Sequence, residues 1–295
     1  MSMQVAAPEI RDCYAVSRKQ FEERCPFPLQ IVPDTSVVNK VAARKVVDLL
    51  TENNRAGRET SLIFPVGPLQ YEPLADLCNR ERVDLRRLSI YMMDEYLQPD
   101  GRMPVAPTHP LSFKRFMTAG FTGRLDPGLG FADDRLVIPM PHNLEAVSRR
   151  ILGMGGVDLC FAGIGISGHL AFNDPPEPHE KEKGLDWVRN CATRIVTISR
   201  ESCTQMACGG THGNWAIIPK LACTLGMKEL LASKRICLIG MRAWHAGTVR
   251  RALFGPVSAD CPGSLLQEHP NVEVMMTELA VKPPMVNVTL DTGEE

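Results

Sequence analysis

The chain has 295 residues, 44% of them hydrophobic and 23% charged, which is enough for one large domain with a substantial core. Its 33 basic and 34 acidic residues leave a net charge of −1, which argues against DNA or RNA as a partner. No apolar run approaches the roughly 18–20 residues of a membrane helix. The expectation is a cytoplasmic protein with no membrane partner.

From the N-terminus, residues 1–34 read as a segment packed on the domain that follows. Ser36 to Leu50 carries Val37, Val38, Val41, Ala42, Val46, Val47 and Leu50 in a helical stripe, with Asp34 or Thr35 as its cap. Ser61 to Phe64 is a short strand stopped by Pro65, and Leu69 to Arg80 reads as a helix. Leu88 to Met93 is the next strand, ending at Asp94-Glu95, and Leu136 to Ile138 is a third. A helix over Asn143 to Leu152 precedes strands at Val157 to Phe161 and Arg194 to Ile198. Leu221 to Ala232 reads as helical despite Gly226. Arg235 to Gly240 is a strand, Ala243 to Leu253 a helix, and Asn271 to Met276 a strand. Residues 282–295 read as a C-terminal extension, with Met285 to Leu290 able to form an edge strand. Strands alternating with helices of this length predict an α/β fold: a Rossmann-like, doubly wound, mostly parallel sheet with helices on both faces, over residues 1–281.

Ten cysteines contain no Cys-x-x-Cys pair, so neither a disulfide framework nor a metal site is expected, and no cofactor is called for. Gly163-Ile-Gly-Ile-Ser-Gly-His169 follows the Val157 strand. It matches Gly-x-Gly-x-x-Gly, but Asn173-Asp-Pro-Pro stops any helix that would complete a dinucleotide site. The glycines instead deliver His169 to a strand end, with Asp174 five residues on as an acid/base partner. Asp94 stands at the end of another strand of the same sheet, so both face one crevice.

These segments resemble the glucosamine-6-phosphate deaminase/isomerase family, whose fold is shared with 6-phosphogluconolactonases. The matching pieces are Met93-Asp-Glu-Tyr96, His109-Pro-Leu-Ser-Phe-Lys-Arg-Phe-Met117 and Gly163 to Pro175, in family order. The resemblance implies roles for particular residues. His169 would protonate the ring oxygen of an amino sugar phosphate, and Asp174 would orient its imidazole. Asp94 would move the proton between C1 and C2. Arg200 and Arg242 would anchor the phosphate, and Glu95 would support. It also implies a possible homo-oligomer.

Three departures matter. Ser167 stands where relatives carry an Asp, removing a charge beside His169. Asp174 stands where they carry Glu, so its reach to His169 is expected to require a backbone shift. Pro65-Val-Gly-Pro-Leu-Gln70 replaces a glycine- and threonine-rich phosphate loop, leaving Gly67 and Gln70 as contributors and a weaker phosphate grip. Lactone hydrolysis on the same fold, or sugar-phosphate binding without catalysis, are the alternatives.

Overall fold

The computed structural model describes residues 8–180 and 182–284. Two short helices, α1 (Pro8–Tyr14) and α2 (Arg18–Arg24), lead into β1 (Leu29–Val32). Asp34 then caps the 21-residue α3 (Thr35–Arg55), its carboxylate accepting from the Val37 N–H at 3.0 Å. There follow β2 (Thr60–Phe64), α4 (Glu72–Glu81), β3 (Leu88–Met92), β4 (Asp94–Leu97) and α5 (Phe113–Gly120). The middle of the chain supplies β5 (Leu136–Val137), α6 (Leu144–Gly153), β6 (Leu159–Gly163), α7 (Leu185–Asn190), β7 (Arg194–Thr197) and α8 (Arg200–Gly209). The last part supplies β8 (Leu221–Thr224), α9 (Met227–Leu231), β9 (Ile236–Gly240), α10 (His245–Phe254), β10 (Val272–Thr277) and α11 (Glu278–Val281).

Seven strands form a parallel sheet in the order β1-β10-β9-β6-β2-β3-β5. Its central strands are buried on both faces, which is why they read as unbroken apolar runs. Alternate side chains serve two cores. Leu62, Phe64, Leu159, Phe161 and Ile239 pack with α3, α4 and α5 on one face. Ile63, Tyr91, Cys160, Leu238 and Val274 pack with α2, α6 and α10 on the other. The doubly wound α/β architecture is therefore the one expected from the sequence.

The second sheet departs from expectation. β4, β8 and β7 pair antiparallel, with Asp94 and Arg194 both in register with Thr224. The Arg194 strand thus leaves the parallel sheet. Leu221 to Ala232 is not one helix but β8 followed by the five-residue α9. At the break, a Cβ on Gly226 would fall 2.0 Å from the Cys191 carbonyl oxygen, so glycine is required for the close approach of two backbones. A short apolar run of this kind has no periodicity to separate strand from helix. β1 extends the main sheet at its edge through parallel pairing with β10. The Met285 to Leu290 strand expectation lies outside the described residues.

β2 and β6 are neighbours, but the chain proceeds from β2 toward β3 and from β6 toward β9. Their following loops diverge, and a crevice opens outside the carboxyl ends of the strands at such a point. Met93 ties this region together. Its N–H donates to the Phe64 carbonyl at 3.0 Å in the large sheet, and its carbonyl accepts from the Leu225 N–H at 2.8 Å beside the small one.

Candidate active site

A cavity of about 330 Å³ occupies this crevice. The loop after β2 contributes Gly67 and Gln70, the β3–β4 junction contributes Asp94, and the loop after β6 contributes His169. Arg242, from the turn leading into α10, and His245, the first residue of that helix, complete the lining named here. The sequence-derived pairing of Asp94 with His169 in one cleft is therefore observed. Both side chains are buried, at 6% exposure each, yet both reach the cavity wall.

His169 is placed by glycine. A Cβ on Gly165 would fall 1.9 Å from His169 Nε2, so the ring lies directly over that backbone. Nδ1 points away from the cavity and donates to Asp174 Oδ1 at 2.7 Å. Asp174 lies behind the ring and off the cavity surface. The shorter acid reaches the imidazole directly, so the expected loss of reach does not occur. The loop does carry Ala171 at φ +53°, a left-handed conformation that a non-glycine residue adopts at a cost, just before the turn to Asp174.

Ser167 Oγ lies 2.8 Å from both His169 Nδ1 and Asp174 Oδ1. Burial opposes charge on His169, but the Asp174 charge, its hydrogen bond and the Asp94 charge together raise its pKa above the ordinary value. Burial likewise opposes ionisation of Asp174, and His169 with the Ser167 hydroxyl outweighs it, holding the carboxyl well below the usual carboxylate range. The hydroxyl at 167 thus leaves the imidazole with a raised pKa, because Asp174 supplies the negative charge.

Asp94 behaves in the opposite sense. Burial pushes its pKa up to about 7, against the Thr224 hydrogen bond and the His169 charge. Thr224 Oγ1 donates to Asp94 Oδ1 at 2.5 Å and accepts from the Phe172 N–H at 3.0 Å. A carboxyl poised near neutrality beside a positively biased imidazole is a proton-transfer pair with the two pKa values set apart by environment.

Two expected ligand contacts are corrected. Arg200 is exposed at the first position of α8 and does not line the cavity. The residues of α8 that do line it are Gln205, Met206 and Gly209, on a different side of the helix. Glu95 is 1% exposed and accepts from the Phe113 N–H at 3.0 Å and the Lys114 N–H at 2.8 Å, so it caps α5 from beneath. Arg242 is where expected. Its Nη1 lies where a Cβ on Gly209 would come within 2.5 Å, so glycine makes room for the guanidinium. His245, the first residue of α10, accepts from the Arg242 N–H at 2.8 Å through Nδ1. Burial and the Arg242 charge push its pKa down to about 4, so it is a neutral part of the wall. Ser202 and Thr224 were not anticipated. Ser202 Oγ lies 3.0 Å from each oxygen of Asp174.

No family model matches the chain. Glucosamine-6-phosphate deaminase of Pseudarthrobacter chlorophenolicus is 30% identical over 247 residues, covering 82% of this chain and 87% of that protein. The chain belongs to the glucosamine-6-phosphate deaminase family. Glucosamine-6-phosphate deaminase 2 of Bacillus subtilis is 28% identical over 264 residues, or 87% of this family member and 92% of the relative. A solved structure described as a monomeric glucosamine-6-phosphate deaminase superposes with a TM-score of 0.70 at 22% identity, covering 86% of this chain and 98% of the other. 6-Phosphogluconolactonase from Trypanosoma brucei superposes at 0.61 and 15% identity, covering 87% and 98%. At these identities the two structures bear on the fold alone. Among the described residues no helix is long and apolar enough to cross a membrane.

Proposed function

We propose that this cavity performs aldose–ketose proton transfer and deamination on an amino sugar phosphate of the glucosamine 6-phosphate type. The observation that carries the reading is the pairing of Asp94, with its raised pKa, and the Asp174-backed His169 on one wall system. Protonated His169 gives its Nε2 proton to the ring oxygen as the ring C1–O bond breaks, the C1 hydroxyl releases its proton to water, and Asp174 stabilises the imidazolium until then. The open chain carries an aldehyde at C1 and an amine at C2. Ionised Asp94 takes the C2 proton while the C1 oxygen takes a proton back from water, forming an enolamine, and Asp94 then returns its proton to C1. The resulting C2 imine is hydrolysed by one water to a ketose phosphate and one ammonia.

Arg242 is the one arginine or lysine lining the cavity among the described residues, and it grips the phosphate together with Gly67 and Gln70. Val66 and Pro68 replace hydroxyls and an N–H donor in that loop, so the affinity for phosphate is lower than a donor-rich loop provides. Purified protein incubated with glucosamine 6-phosphate should release ammonia, and Asp94→Asn should reduce that release by at least about 10³-fold. Release that is unaffected by the substitution removes Asp94 from the role. The lactonase reading has the support of the shared fold. It predicts no solvent deuterium at C1 of the product, whereas the proton-transfer reading predicts its incorporation.

A further inference from the structure

α8 touches the catalytic turn at two points one helical turn apart. Gln205 Oε1 accepts from the Ile166 N–H at 2.7 Å, at the start of the turn. Ser202, three residues earlier on the same side of α8, is buried at 5% exposure and reaches the other end. Its Oγ lies 3.0 Å from Asp174 Oδ1, 3.0 Å from Asp174 Oδ2 and 3.2 Å from His169 Nδ1. Ser199 Oγ caps α8 by accepting from the Ser202 N–H at 3.1 Å, and its side chain also hydrogen-bonds Asp174.

The Asp174 carboxylate has a specific problem. It is nearly buried, and its Oδ1 already serves His169 Nδ1 and Ser167 Oγ. Held mainly through one oxygen, the carboxylate is free to turn about its Cβ–Cγ bond, a broad torsion, and its hydrogen bond to the imidazole is loosened. Ser202 lies at hydrogen-bond distance from both oxygens and restrains that torsion. We propose that Ser202 is a positioning residue for the His169–Asp174 pair: its hydroxyl donates to the carboxylate, fixes its orientation toward the imidazole, and so holds the ring proton on Nδ1 and leaves Nε2 as the proton-transfer site. The inference rests on the proton-transfer reading for its consequence in catalysis, and on geometry alone for its consequence in tautomer.

Two measurements test it. In protein labelled with ¹⁵N in histidine and titrated upward until the His169 ring nitrogens stop shifting, the neutral ring should carry its proton on Nδ1, with a protected low-field resonance. Ser202→Ala should lose that protected resonance, and Ser202→Thr, which keeps the hydroxyl, should retain it. This needs no substrate, so a chain inactive on glucosamine 6-phosphate overturns the functional reading without touching the result. In turnover, Ser202→Ala should lower kcat about 10-fold with KM within about 2-fold. The same change in an Asp174→Asn background should cost less than about 2-fold, since the charge it serves is gone. Circular dichroism reports on folding, and Ser202→Cys replaces Ser202→Ala if the latter fails to fold. An unaltered Nδ1 resonance in the variant, or equal kcat losses in both backgrounds, overturns the proposal.

Discussion

At the scale of single residues, the site spends stability on chemistry. Asp94 is held protonated more tightly in the folded chain than in the unfolded one, where a carboxyl titrates near 3.8. The folded state therefore binds the extra proton between about pH 4 and pH 7, and stability falls as pH rises through that window. Once Asp94 is ionised, the loss is on the order of 4 kcal/mol, and it persists above pH 7. Asp94→Asn should accordingly unfold at a higher temperature than the parent at pH 8, with the difference vanishing near pH 4. Thermal melts across that range check it, and a variant less stable at pH 8 contradicts the assignment. His169 and Asp94 were legible in the sequence because glycines and strand ends announce them. Ser202 and Thr224 were not, because their partners lie 28 and 130 residues away and nothing local marks a hydroxyl as a hydrogen-bond donor to a distant acid.

At the scale of elements, α8 and the turn before α10 decide which cation meets the ligand. Both Arg200 and Arg242 have the right charge, and the sequence offers no means of choosing between them. The helix chooses: Arg200 stands at its exposed first position, while Gly209 at its last position leaves a gap that the Arg242 guanidinium fills. Gly209→Ala places a methyl in that gap. The guanidinium is the far end of a flexible side chain and moves aside, so the fold survives. KM for an anionic substrate should rise about 10-fold with kcat little changed. Steady-state kinetics on the variant checks this, and a fall confined to kcat refutes it. The elements themselves were unevenly legible. Central parallel strands are announced by continuous apolar runs, whereas β4, β7 and β8 are four residues each and scattered over residues 94–224. Short strands of that kind acquire their identity from each other, not from local pattern.

At the scale of the whole molecule, the two ends of the described chain are closed by one buried cation. Arg250 on α10 is 0% exposed, and its guanidinium donates to the carbonyls of Val16, Ala246, Val281 and Lys282 at 2.8–3.1 Å. It also lies over the Phe21 ring, 5.0 Å from the centroid. Among the described residues no carboxylate shares in this bonding, and burial draws its pKa down to about 10. Arg250→Met fills much of the volume but strands the carbonyls, and should cost about 3 kcal/mol or more in unfolding free energy. Chemical denaturation measures it, and an unchanged midpoint shows the clamp to be dispensable.

The Met93 backbone has a wider consequence. One of its peptide groups answers to the seven-stranded sheet and the other to the three-stranded one, and the next residue is the base. The loop that carries the imidazole is bonded to the same small sheet, because the Phe172 N–H donates to the Thr224 hydroxyl that also bonds Asp94. A slight rotation of the smaller sheet would therefore carry carboxylate and imidazole together relative to the loop after β2, keeping their mutual spacing. One threonine hydroxyl thus makes acid and base a single rigid unit that can be re-aimed without being taken apart.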